Sequence, residues 1–238
     1  MLKHFKTIGM IGGIAPASTV DYYQRLISRF QERTKLREYP SIIINSINMT
    51  HMMNLISNDQ LGELVDYLSE EIYALEKAGA KVIFMASNTP HIVFNLLVQR
   101  VKTRIVSIVD STVSYAQAKG YHRLGLFGTI STMEGDFFPF GFESAGMEII
   151  TPMPEERKYI HKIYMEELAR GRFLPETKSR LLSIAHRMYM EGQIDCLILG
   201  GTELPLILKT SDMEDIELIN TTKIHVERIL DVAIGSST

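Results

Sequence analysis

The sequence is poor in several of the groups that protein chemistry most often relies on. One cysteine among 238 residues excludes an internal disulfide and any cluster of thiolate metal ligands, and suits a reducing compartment. No apolar run approaches the roughly 20 residues needed to cross a bilayer as a helix. The amino-terminal stretch MLKHFKTIGMIGG has neither the apolar centre nor the small-residue cleavage site of a secretory signal. A cytoplasmic protein with no membrane partner is therefore expected. Basic charge is also unconcentrated: 25 Lys and Arg stand against 28 Asp and Glu, for a formal charge of -3. No run of Lys and Arg is interleaved with aromatics, so nucleic acid is not an expected partner. The histidines show no metal-ligand spacing. Gly9, Gly12 and Gly13 do not form the G-x-G-x-x-G pattern of a dinucleotide site. Neither a metal nor a cofactor is expected.

What is present is an ordinary globular composition, 45% hydrophobic and 22% charged, on a chain long enough to bury a sizeable core. Short apolar runs alternate with long amphipathic segments, which predicts an α/β fold with mainly parallel sheets flanked by helices. TIGMIGG reads as the first strand. STVDYYQRLISRF reads as the following helix, capped by Ser18 or Thr19, with Val20, Tyr23, Leu26, Ile27 and Phe30 on one face. SIIINSIN reads as the second strand, ending in turn-formers near Asn48 and Thr50. The next helix carries Leu61, Leu64, Val65, Leu68, Ile72 and Leu75 at helical spacing and stops at Gly79. KVIFMA reads as the third strand, and Pro90 opens the helix after it. Ser87, Asn88 and Thr89 then lie where a strand's carboxyl end meets a helix amino end.

From about residue 105 the pattern repeats. Ile8-Gly9-Met10-Ile11-Gly12-Gly13 is echoed by Leu124-Gly125-Leu126-Phe127-Gly128-Thr129, and KVIFMASNTP by DCLILGGTELP. Strand-to-helix corners of this fold class resemble one another, but the matched order of two corners per half favours duplication. Two pseudo-symmetric lobes are expected, residues 1–104 with 215–238 forming one and 105–214 the other. Ligands of parallel sheets bind beyond the carboxyl ends of the strands. If the lobes face each other, Ser87 to Thr89 and Gly201 to Glu203 line one interdomain cleft, with Gly12 to Ser18 and Thr129 to Thr132 contributing. Loop N–H groups and helix amino ends at such corners attract anions, so a small carboxylate is the expected cargo.

The ordered set IGMIGG…ST…YY, NTPH, GT…TM and LGGTELPL resembles the aspartate/glutamate racemase family of cofactor-independent amino-acid racemases, over nearly the whole chain. The resemblance implies two pseudo-symmetric α/β domains, an acidic amino acid in the cleft between them, and a homodimer. Family members remove the α-proton with one cysteine thiolate and return a proton from a second on the opposite face. Those thiols precede the NT pair in one half and the TE pair in the other. Here the two positions hold Ser87 and Gly201. A serine hydroxyl without an adjacent base is too weak an acid to supply the base form, and glycine offers no side chain. The two-thiol mechanism cannot run on this chain.

The titratable residues nearest the two corners are Glu203 and His91, which are reserve candidates for acid/base work. Each also has a structural alternative, Glu203 complementing a helix amino end and His91 facing solvent or capping a loop. Cys196 lies inside the apolar strand DCLIL and reads as core. Arg170 and Lys162 are the basic residues nearest the EEL..G segment, where family members often hold the side-chain carboxylate. Gly12, Asn48, Asn88, Thr89, Thr129, Thr132 and Thr202 are the expected substrate-binding residues. The expected function is amino-acid racemisation by proton transfer at the α-carbon. The alternative is a catalytically silent binder of an acidic amino acid or dicarboxylate.

Overall fold

Strand β1 (Ile8–Gly12) is buried along its whole length, as a central strand covered on both faces must be. In the computed structural model, which describes residues 5–235, β1 pairs in parallel with β2 (Ile42–Ser46) and β3 (Val82–Met85), and β3 pairs with β4 (Ile105–Val106), in the order β2-β1-β3-β4. A second parallel sheet is built the same way. Strand β5 (Arg123–Phe127) lies between β6 (Glu148–Ile150) and β7 (Cys196–Leu199), and β7 pairs with β8 (Glu217–Asn220), in the order β6-β5-β7-β8. The repeat seen in the sequence is thus a repeat of topology.

Side chains of successive strand residues enter opposite faces, and each lobe has a core on either side of its sheet. Ile8, Met10, Val82 and Phe84 belong to one cluster, Ile11, Ile83 and Met85 to the other. The second lobe repeats the division, with Leu124, Leu126, Cys196 and Ile198 on one face and Phe127, Leu197 and Leu199 on the other. Cys196 is fully buried, and burial pushes its thiol pKa up. It is a core residue.

The first lobe's helices are α1 (Pro16–Thr34), α2 (Met49–Ser57), α3 (Leu61–Lys77) and α4 (Phe94–Arg100). The second lobe carries α5 (Ile108–Lys119), α6 (Ile130–Glu134), α7 (Phe137–Glu143), α8 (Pro154–Glu166), α9 (Pro175–Met190) and α10 (Leu204–Ile207). The last helix, α11 (Thr221–Ile234), begins in the second lobe and continues into the first. The lobes comprise Met1–Ser107 with His225–Thr238, and Ile108–Ile224. The expected breaks at 104 and 215 are therefore displaced, because β4 pairs with β3 in the first sheet and β8 with β7 in the second.

Three local expectations are corrected. Helix α1 starts at Pro16, with Ala15 as its cap, since proline's fixed φ suits a first turn. The hydroxyls of Ser18 and Thr19 instead donate to the Ala15 carbonyl, at 2.9 and 3.1 Å. The buried stripe is Ser18, Tyr22, Leu26 and Phe30, leaving Val20 and Tyr23 exposed. The outer side of α1 is anchored to α11 by Arg29–Glu227 at 2.5 Å and Arg33–Asp231 at 2.7 Å. The segment after β2 is helical as α2, with the Asn48 side chain accepting from the His51 N–H at 3.1 Å. The stretch after Pro90 opens as a 3-10 turn (Thr89–Val93) before α4. By contrast, α3 buries Leu64, Val65, Leu68, Ile72 and Leu75 as expected. Gly79 follows it at φ +99°, a conformation glycine adopts without strain.

Candidate functional site

In the first lobe, β3 delivers the chain to a corner of buried polar residues: Ser87, Asn88, Thr89 and His91. The corner is tied down locally. The His91 N–H donates to the Asn88 carbonyl at 3.0 Å, and its ring Nδ1 lies 3.2 Å from the same oxygen. The imidazole stacks on Phe94 with centroids 5.2 Å apart. Burial pulls the His91 pKa down from 6.5 to about 4, only partly offset by its bonds to the backbone of Asn88 and Ser87. The ring is therefore neutral at neutral pH, and it braces the loop. The Ser18 hydroxyl lies 3.3 Å from the Ala86 carbonyl, joining the first corner of the lobe to the second.

Asn88 is the exception. Its side chain is 1% exposed, yet neither Oδ1 nor Nδ2 has a hydrogen-bond partner among the described residues. A buried polar group left unsatisfied costs about 1–3 kcal/mol, and nearly all such groups in folded proteins are paired. An amide held this way leaves one donor end and one acceptor end unengaged.

In the second lobe β7 leads through Gly200 and Gly201 to Thr202 and Glu203, all buried. The Gly200 N–H donates to the Phe127 carbonyl at 2.7 Å, and the Leu204 N–H to the Gly201 carbonyl at 3.0 Å. Glu203 has no exposed surface. Its Oε2 accepts from the Thr202 hydroxyl at 3.1 Å and from the phenol of Tyr164. Tyr164 reaches inward from α8 within the core that includes Ile160, Ile163 and Leu168. Burial and the adjacent Glu203 raise its pKa well above 10, so the phenol stays protonated. Its ring also explains the glycine: a Cβ at residue 201 would stand 2.9 Å from both the Tyr164 Cζ and hydroxyl oxygen, and closer still to Cε2. Real Cβ atoms do not approach so near. Tyr164 fills the space that a side chain at 201 would occupy.

The remaining candidates divide. Thr132 packs beside Gly200, but its hydroxyl and that of Thr129 are 3.0 Å apart, and Thr129 caps α6 by accepting from the Thr132 N–H. These hydroxyls are engaged with each other. Gly12 is closely packed, since a Cβ there would meet Thr19 Cγ2 at 2.7 Å. Asn48 and Thr50 are exposed, Asn48 serving as the cap of α2, so neither joins the buried corner. Lys162 and Arg170 are also exposed. Tyr164 was invisible to sequence reasoning: its spacing from Ile160 marks it as core, and only its proximity to Gly201 reveals more. No group of His, Cys, Asp and Glu able to hold a metal occurs among the described residues. No helix among them is long and apolar enough to cross a membrane.

Two parallel four-stranded sheets of identical strand order, each leading to buried polar corners, define a duplicated α/β protein. The Asp/Glu/Hydantoin racemase family matches residues 11–229. The chain belongs to that family. Its structure is similar to an aspartate racemase homologue from Pyrococcus horikoshii OT3, at 33% identity and TM-score 0.82, covering 96% of this chain and 99% of that one. The fold is shared with an aspartate racemase from Picrophilus torridus (20% identity, 96% and 94% covered, TM-score 0.76). It is shared too with a glutamate racemase isoform from Bacillus anthracis (15% identity, 95% and 80% covered, TM-score 0.69).

Proposed function

We propose that the protein binds a small acidic amino acid and acts on its α-carbon proton without a cofactor. The observation that carries this reading is the buried Asn88 amide with both ends unpartnered. An amino acid zwitterion complements it: Nδ2–H donates to a carboxylate oxygen while Oδ1 accepts from the ammonium. The chemistry cannot copy a two-thiol mechanism, because Ser87 and Gly201 stand where the family's thiols are expected. Glu203 is the candidate for proton transfer.

Calorimetric titration with L- and D-aspartate, L- and D-glutamate and succinate tests the reading. Saturable binding of an acidic amino acid, lost in Asn88→Ala, is the expected result. Unchanged affinity in Asn88→Ala would remove Asn88 from the site. A second reading, a binder without turnover, is favoured by the alcohol at Ser87 and the depressed basicity of His91. It predicts the same binding with no exchange of the α-hydrogen in deuterated water.

A further inference from the structure

An edge strand with unpaired backbone groups invites another strand, and soluble proteins blunt such edges with charged side chains or by keeping them short. Three of the four edge strands here are blunted. Strand β4 has two residues, β6 begins with Glu148 and β8 with Glu217. The fourth, β2, runs five residues as IIINS with no charged side chain. The Ile8 N–H donates to the Ser41 carbonyl at 2.9 Å and the Ile47 N–H to the Gly12 carbonyl at 3.0 Å, so the odd-numbered residues of β2 bond β1. Ile42, Ile44 and Ser46 turn their N–H and C=O groups to the open edge, where no strand among the described residues pairs with them. The surface beside this edge is apolar. A Cβ at Gly12 would meet Thr19 of α1 and, at 3.4 Å, Ile44, so α1 runs beside Ile44. Tyr23 lies one turn after Thr19 on that flank and Val20 adjoins it, while Arg29 and Arg33 on the other flank are tied to α11. Leu36 and Tyr39 stand in the segment joining α1 to β2. Val20, Tyr23, Leu36, Tyr39 and Ile44 are 41% to 69% exposed. Together they offer on the order of 500 Å2, more than half of the roughly 800 Å2 per partner that a stable interface buries. The edge backbone adds to it.

We propose that two copies of this chain join edge to edge through β2, about a twofold axis normal to the sheet at Ile44, independently of what the protein binds. Antiparallel pairing sets Ile44 against Ile44 of the second copy, and Ile42 against Ser46. Every outward N–H and C=O of those three residues then finds a partner. Alternation puts the Ile42 and Ile44 side chains on one face, the face whose core includes Tyr22, Leu26 and Phe30 of α1. An axis normal to the sheet keeps both α1 helices on that face, so Val20 and Tyr23 meet their counterparts above the seam. The edge is self-complementary, as a twofold interface requires. A foreign strand pairing with the same backbone would need an apolar helix of its own to cover Val20 and Tyr23, which a second copy supplies.

Sedimentation equilibrium on the full chain at about 100 µM tests the association. The expected mass is twice 27.0 kDa. Ile44→Lys brings two like charges together at the axis and is expected to weaken the dimer at least about 100-fold. Val20→Asp with Tyr23→Asp alters only exposed helix positions and is expected to do the same, so the test stands even if circular dichroism shows that Ile44→Lys does not fold. Phe140→Asp, at an exposed position of the second lobe, is expected to leave the mass unchanged; loss of the dimer in it would move the interface and overturn the proposal. Amide hydrogen exchange by NMR locates the seam. The Ile44 and Ser46 N–H groups are expected to exchange at least about 10-fold more slowly in the dimer than in the Val20→Asp/Tyr23→Asp monomer. A wild-type monomer at that concentration overturns the proposal, whether or not another protein's strand takes the edge. A dimer that survives both edge variants, or one in which those amides exchange freely, overturns it too.

Discussion

Placing a cysteine at residue 201, the obvious way to install a thiol, is predicted to fail by itself. A Cβ there stands 2.9 Å from Cζ and Oη of Tyr164, whereas ordinary contacts begin near 3.4 Å. The Tyr164 ring cannot easily yield, because it is buried among Ile160, Ile163 and Leu168 and its hydroxyl is bonded to Glu203. Forcing extra atoms into a packed core costs about 1–3 kcal/mol, and displacing the phenol from a buried carboxylate adds a comparable amount. Gly201→Cys should therefore destabilise by about 2–6 kcal/mol. Tyr164→Ala removes a large buried side chain and should cost about 3–5 kcal/mol. In the double variant the sulfur enters space the ring vacates, so the two costs should not add: a coupling of about 1–3 kcal/mol is expected. Urea unfolding of the four proteins, followed by circular dichroism, measures it. Additivity within about 0.5 kcal/mol would refute the claim that Tyr164 occupies the slot of residue 201. A corollary is that Ser87→Cys with Gly201→Cys does not install two working thiols unless residue 164 is also made small.

His91 and His225 are buried and neutral, with pKa values pulled down by burial to about 4 and about 3. Their folded pKa lies below the unfolded value of 6.5, so the unfolded chain binds more protons in acid. Their stabilisation is complete above about pH 6.5 and is lost as pH falls toward the folded pKa, by about 3 kcal/mol per histidine at pH 4. Acid unfolding should begin near pH 6 to 5 with a slope approaching two protons, and His225→Gln should flatten it; a pH-independent melting temperature from 7 to 4.5 would contradict this. Asn88→Leu replaces an unsatisfied amide with an apolar group of similar size, and should leave the ligand-free protein as stable or up to about 2 kcal/mol more stable. A loss above about 1 kcal/mol would mean the amide is already satisfied. Thr132→Val breaks the Thr129–Thr132 pair and should cost about 1 kcal/mol with aspartate affinity unchanged; a tenfold weaker affinity would restore Thr132 to the ligand.

Strand periodicity and corner residues carried most of the architecture. Unbroken burial along Ile8–Ile11 and Cys196–Leu199 is written in runs of apolar residues, and the twofold order of corners anticipated two sheets of equal topology. What was not legible depended on contacts distant in sequence. Local propensity could not rank Pro16 above Ser18 as the start of α1, and that misplacement rotated its predicted face onto Val20 and Tyr23. The lobe boundaries shifted because β4 and β8 are short strands whose membership is decided by pairing. The sequence placed Asn88 and Glu203 just beyond the ends of two strands, where β3 and β7 lead to them. It could not show that Asn88 lacks a partner, that Thr129 and Thr132 satisfy each other, or that a tyrosine 37 positions before Gly201 fills its side-chain space.

The central claim is that the Asn88 amide waits, unpaired, for an acidic amino acid. The most direct measurement follows its side-chain NH2 resonances by 1H–15N NMR, assigned by their loss in Asn88→Ala, while L- and D-aspartate are added. The account predicts a saturable downfield shift of that pair, tracking the calorimetric Kd. Resonances that stay in place while aspartate binds elsewhere would contradict it.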